Sequence, residues 1–103
     1  MLITMAINPE DDEEFNRWYN TEHVPELLAR PGVLGARRFK AIEGPFEHEG
    51  ALNYLAVYEL DSVDTLQDPQ YVASATSPTD WTKRIVELRL GGRRHVYEEI
   101  PIE

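Results

Sequence analysis

The chain has 103 residues, 42% of them hydrophobic and 28% charged, and no apolar run approaches the ~20 residues that a membrane-spanning helix needs. A single domain over residues 1–103 is expected, with one core and little interior left for a deep private pocket, so a pocket of useful size should need a second subunit. With 19 acidic against 10 basic residues the net charge is −9, a field that repels phosphate backbones and anionic lipid heads and argues against nucleic acid and membrane as partners.

The chain contains no cysteine, which excludes disulfides, thiolate nucleophiles, iron–sulfur clusters and thiolate zinc sites. Met1 to Ile7 is apolar but lacks a basic leader and runs into Asn8-Pro9, so it reads as a first strand rather than an export signal, and the cytoplasm is the default location. A helix should follow. Pro9 suits its first turn, and Glu10, Asp11, Asp12, Glu13 and Glu14 crowd the positive end of its dipole.

Phe15, Tyr19, His23 and Leu27 form an i, i+4 ladder with Trp18 beside it, a face that should point at a sheet. Pro25 cannot sit inside an unbroken helix, so a break is expected after Val24, with Pro25 opening a short second turn through Leu28 and His23 lying at the break. Pro31-Gly32 stops the helix, and Val33 to Ile42 returns as a strand carrying Leu34, Ala36, Phe39 and Ile42. Glu43 to Ala51 reads as a loop whose Phe46 and His48 either cap a pocket or decorate a turn.

Leu52 to Leu60 alternates most strongly, with Leu52, Tyr54, Ala56, Tyr58 and Leu60 on one face and Leu55 and Val57 on the other. Ser62 begins a helical stretch that Pro69 divides into two pieces, with Val63, Leu66, Tyr71, Val72 and Ala75 as its apolar positions. Ser77-Pro78-Thr79-Asp80 supplies an N-cap serine, a proline at the first helical position and a carboxylate in the first turn, after which Trp81, Ile85 and Leu88 repeat at helical spacing. Gly91-Gly92 should end that helix, and Arg93 to Ile102 should form the last strand, carrying Val96, Tyr97 and Ile100. Arg37-Arg38-Lys40 and Arg93-Arg94 fall on strands as solvated groups rather than as a continuous basic patch.

The order strand, helix, strand, strand, helical region, strand is the ferredoxin-like βαββαβ arrangement, an α+β fold with an antiparallel sheet and helices on one face. Apolar residues on both faces of Leu52 to Leu60 leave one sheet face uncovered, and a symmetric homodimer pressing two sheets together would cover it.

The segment Phe15-Asn16-Arg17-Trp18-Tyr19-Asn20-Thr21-Glu22-His23-Val24-Pro25-Glu26-Leu27-Leu28, followed by Pro31-Gly32-Val33 and by Tyr54-Leu55-Ala56-Val57-Tyr58-Glu59-Leu60, resembles the dimeric α/β-barrel superfamily and, within it, EthD-like proteins. The likeness covers nearly the whole chain in element order, and its specific wording is the Trp-Tyr-x-x-Glu-His-x-Pro segment with the proline-glycine turn after it. The resemblance implies a dimer with a pocket between sheet and helices in each subunit. By analogy it also implies isomerases, cyclases, decarboxylases and cofactor-independent oxygenases acting on small aromatic or lactone compounds, alongside members with no known reaction. In several EthD-like enzymes a histidine at the end of the first helix acts on the substrate's proton, and His23, preceded by Trp18 and Tyr19, matches that position. A haem-degrading pattern of asparagine, tryptophan and helix-borne histidine is matched only by Asn8 and Trp81, since Pro78 to Leu90 contains no histidine.

Imidazole is the natural proton shuttle near neutral pH, and His23, flanked by Glu22 with Tyr19 one turn earlier, fits general acid/base work. Tyr54, Tyr58 and Tyr97 could donate hydrogen bonds to a developing oxyanion, while Trp18, Phe39 and Trp81 supply an apolar lining. Plainer roles stay open: His23 bonded in the core to a carbonyl freed by Pro25, Tyr54 and Tyr58 packed at a dimer interface, and Trp81 as core. His23, His48 and His95 are too widely spaced for a metal site and no glycine-rich loop opens a helix, so neither metal nor nucleotide cofactor is expected. The expected function is a small cofactor-independent isomerase, cyclase or decarboxylase using His23 on a small apolar carbonyl, lactone or aromatic compound. The alternative is a non-catalytic small-molecule-binding or accessory homodimer. Apolar surroundings would lower the pKa of His23 and Glu22 would raise it, and the sequence leaves the two opposed.

Overall fold

The computed structural model describes residues 1–42 and 53–102. The expected loop from Glu43 to Ala51, with Phe46 and His48, lies outside these residues, as does Leu52 at the start of the expected third strand. Four strands, β1 (Leu2–Ala6), β2 (Val33–Lys40), β3 (Tyr54–Leu60) and β4 (Gly91–His95), form a sheet in the order β2-β3-β1-β4 with every pairing antiparallel. This is the ferredoxin-like α+β arrangement read from the element order.

Register decides which side chains meet. Ile3 pairs with Ala56 and with Arg94, Met5 with Tyr54, and Ala36 with Tyr58, so these residues share one face of the sheet. The helices cover that face. The other carries half-buried Leu2, Leu55 and Val57 beside exposed Phe39, with no helix among the described residues over them.

Between β1 and β2 the chain passes through a 3-10 turn (Pro9–Asp11), α1 (Asp12–Trp18), a π-helical turn (Tyr19–His23) and α2 (Val24–Leu28). The break expected after Val24 therefore falls earlier, as a widened turn and not a restart. Pro25 has no N–H to offer the carbonyl one turn back, and the Val24 N–H reaches past it to the Tyr19 carbonyl, five residues away. Gly32 then reverses the chain with φ 84°, and a Cβ at this position would collide with Thr65 Oγ1.

After β3 the helical stretch splits as Pro69 requires, into a 3-10 turn (Val63–Gln67) and α3 (Pro69–Ala75), whose first turn is capped by the Asp68 carboxylate accepting the Gln70 and Tyr71 N–H groups. α4 (Asp80–Leu88) starts later than the Ser77-Pro78 signal indicates, because Thr79, accepting the Thr82 N–H, is the N-cap. It also ends earlier. Gly91 and Gly92 do not terminate a helix but pair with Ala6 and Met5, the Leu90 N–H having already bonded the Ala6 carbonyl. β4 stops at His95 opposite Leu2, the first residue of β1, so the strand expected through Ile102 is not formed and Tyr97, Ile100 and Ile102 are exposed.

Phe15, Trp18, Tyr58 and Ile85 are the largest fully buried side chains, and they lock α1 and α4 onto β3. Burial of each contributes about 1.5–3 kcal/mol. Among the described residues no helix is long and apolar enough to cross a membrane.

Candidate functional site

The π-helical turn shapes the site. On an α-helix residues five apart stand about 140° apart around the axis. The widened turn brings Trp18 and His23 onto one side, where their rings stack with centroids 4.4 Å apart and planes 18° from parallel. Tyr19 meets the imidazole edge-on at 5.1 Å. The Trp18 Nε1–H donates to Thr82 Oγ1 at 3.1 Å, so α4 fixes the ring on which His23 rests.

His23 faces a cavity of about 430 Å³ between the helices and the sheet. Ile3 and Met5 of β1, Tyr58 of β3, Leu27 of α2 and Tyr71 of α3 line its interior. Arg30, buried at 8% exposure, runs along one wall, where it donates from Nε to Ser74 Oγ at 2.8 Å and lies 4.8 Å above the Tyr71 ring.

Three polar atoms cluster here without hydrogen-bond partners: His23 Nδ1 and the Tyr19 and Tyr58 hydroxyls, all buried. The two hydroxyls are neighbours whose hydrogen-bonding interaction holds the Tyr58 phenol up and the Tyr19 phenol down, although they do not reach good hydrogen-bond geometry. A buried orphan costs about 1–3 kcal/mol, so a cluster of them calls for a reason other than packing.

Burial pushes the His23 pKa down to about 4, with Arg30 and Arg38 acting in the same direction. Glu22 does not oppose this, because its carboxylate faces α4 and accepts from Thr79 Oγ1 at 2.9 Å. Burial likewise lifts the Tyr58 and Tyr19 phenols above their ordinary range. At neutral pH the cavity therefore presents an uncharged imidazole and protonated phenols.

Of the residues singled out in the sequence, His23, Trp18 and Tyr58 line this cavity, and Tyr19 packs behind His23. Tyr54, Phe39 and Trp81 do not join them. Tyr54 shares the sheet face with Tyr58, yet its hydroxyl donates to Asp12 Oδ1 at 2.8 Å and accepts from Asn16 Nδ2 at 3.1 Å. Arg38 closes that network, donating to Asn16 Oδ1 and Asn20 Oδ1, each at 2.8 Å, with its guanidinium 4.3 Å from the centre of the Tyr19 ring. Phe39 lies on the uncovered sheet face, where it joins Tyr54 and the exposed Tyr97 in lining a second cavity of about 420 Å³, and Trp81 packs against the core from α4.

Sequence reasoning missed Arg30, Tyr71, Arg89 and Arg94 as cavity residues. The period-two alternation of the last strand, with Val96 and Ile100, already places Arg94 on one face with them. Among the described residues no group of three histidine, aspartate or glutamate side chains is placed to hold a metal ion.

The fold is similar to that of an EthD family protein from Bacillus halodurans C-125, with a TM-score of 0.57 over 92% of this chain and 96% of that one, at 19% sequence identity. The EthD-like resemblance carried by the Trp18 to Pro25 segment thus holds at the level of fold. No curated protein matches the chain. A family model described as "Domain of unknown function (DUF4286)" matches residues 2–85, and the chain belongs to that family.

Proposed function

We propose that this domain works as a cytoplasmic homodimer whose cavity binds a small, largely apolar carbonyl, lactone or aromatic compound, and that His23 moves a proton on it without a cofactor. The observation that carries this reading is the meeting, in the lining of one cavity, of the His23 imidazole and the Tyr58 phenol, both uncharged at neutral pH. Tyr58 donates its O–H to the substrate carbonyl. His23 takes the proton from the adjacent carbon, the C–H electron pair becomes the enolate, and the phenol stabilises the oxygen as charge develops. Return of the same proton to a different carbon restores the neutral imidazole and completes an isomerisation with no net change in electrons. Burial disfavours the intermediate imidazolium, and the enolate beside it supplies the compensating charge.

Deuterium uptake from D2O into α-tetralone, and isomerisation of α-angelica lactone, test this by NMR. The wild-type chain is expected to accelerate one or both, and His23→Gln and Tyr58→Phe to lose more than tenfold of that rate while still melting cooperatively. Probe bound for hours with neither exchange nor conversion would instead favour the non-catalytic binding or accessory role. The uncovered Leu2, Leu55, Val57 and Phe39 face supports the pairing of two copies sheet to sheet. Native mass spectrometry is expected to report two subunits, and a monomer would overturn that pairing.

A further inference from the structure

The cavity carries the opposite charge to the protein around it. The side chains of Arg30, Arg89 and Arg94, three of the 10 basic residues, stand on its side of the sheet, and no carboxylate among the described residues lines it in a chain with 19 acidic residues. Arg30 already has Glu26 at 3.7 Å and Ser74 as partners. Arg89, Arg93 and Arg94 form no ion pair among the described residues. Arg94 stands opposite Ile3 on the helix-covered face of the edge strand β4, which turns it toward the cavity. Arg89 follows α4 and lies back across β4, its Nη1 3.3 Å from where a Cβ on Gly92 would stand, so the glycine leaves the guanidinium room.

Resting on the reading of this cavity as a small-molecule site, we propose that its ligand is an anion, an aromatic or otherwise flat apolar carboxylate held at the mouth by Arg94 and Arg89 with its ring against Trp18, His23 and Tyr71. Guanidinium forks match a carboxylate with two parallel hydrogen bonds, and an exposed carboxylate partner is what these two arginines lack. The interior sets the rest of the ligand. Methionine, leucine and aromatic surfaces reward an apolar body and leave a phosphorylated sugar or a free inorganic anion without polar partners. The volume of about 430 Å³ is within the range of small-molecule sites. The positive field is already felt inside, where Arg30 helps to keep the imidazole uncharged.

Calorimetric titration of the full chain with 2-naphthoate and with its neutral isostere 2-naphthamide tests the proposal. The carboxylate is expected to bind at least about tenfold more tightly, as hydrogen bonds to a charged group would give, and to weaken as salt is raised. The double variant Arg89→Gln, Arg94→Gln should abolish this preference while leaving the amide's affinity unchanged. Arg84→Gln, which removes a guanidinium paired with Glu14 away from the cavity, should preserve it. Equal affinity for the two probes would overturn the anionic ligand and leave the small-molecule cavity standing. Failure of both probes to bind would overturn the two readings together.

Discussion

Tyr54 and Tyr58 are four residues apart on the same face of β3 and both are buried, but their hydroxyls have opposite circumstances. Tyr54 donates to Asp12, accepts from Asn16 and completes a network that Arg38 closes. Tyr58 makes no hydrogen bond of good geometry, and its side chain lines the cavity that the His23 imidazole also lines. A saturated network holds α1 to the sheet, its polar atoms already committed to one another even where Tyr54 borders a second cavity of about 420 Å³. The unsaturated pair gives up stability that a fold has no reason to forgo unless the groups are used on something that enters the cavity.

The largest way to break the comparison is through pH. The folded-state pKa of His23, about 4, lies below its ordinary 6.5, so the unfolded chain binds a proton that the folded chain refuses between those values. The stability from keeping the imidazole neutral is therefore complete above pH 6.5 and is lost as pH falls toward 4, a change of about 3 kcal/mol. Urea unfolding at pH 7.5 and 4.5 is expected to lose most of that difference in slope when His23 is replaced by Gln. Next in size is Arg38→Ala, which orphans Asn16 and uncovers Tyr19 and should cost about 2 kcal/mol, or roughly 10 °C in thermal unfolding.

The smallest effects sharpen the contrast most. Tyr54→Phe removes a hydroxyl with two partners and should cost about 1 kcal/mol. Tyr58→Phe removes a buried one with none and should raise stability by about 1 kcal/mol. Equal losses in calorimetric unfolding of the two variants would show that Tyr58 is held as firmly as Tyr54, and the distinction between scaffold and site would fall.

Much of the fold was legible because it rests on local periodicity. The alternation of Tyr54, Ala56 and Tyr58 named their shared face, Pro31-Gly32 marked a real reversal, and Pro69 divided the helical region as it should. What distinguishes Tyr54 from Tyr58 was not legible, since Asp12, Asn16 and Arg38 reach Tyr54 from distant parts of the chain. Glu22 illustrates the same limit. It adjoins His23 in sequence, but the helical turn directs it toward Thr79, so the opposing influence on the imidazole vanishes and burial, helped by Arg30 and Arg38, decides the direction. The boundary of β4 was misjudged because a glycine pair signals a helix end locally, whereas here it supplies two ladder residues to β1.

The central claim is that ligands enter at His23 and Tyr58 while the Tyr54 network stays closed. Side-chain and amide NMR of isotopically labelled protein, titrated with 2-naphthoate, tests it most directly. The account predicts shifts concentrated at Trp18, His23 and Tyr58, with Asn16 and Tyr54 unmoved. Shifts centred on Tyr54 and Asn16, or no shifts at all, would contradict it.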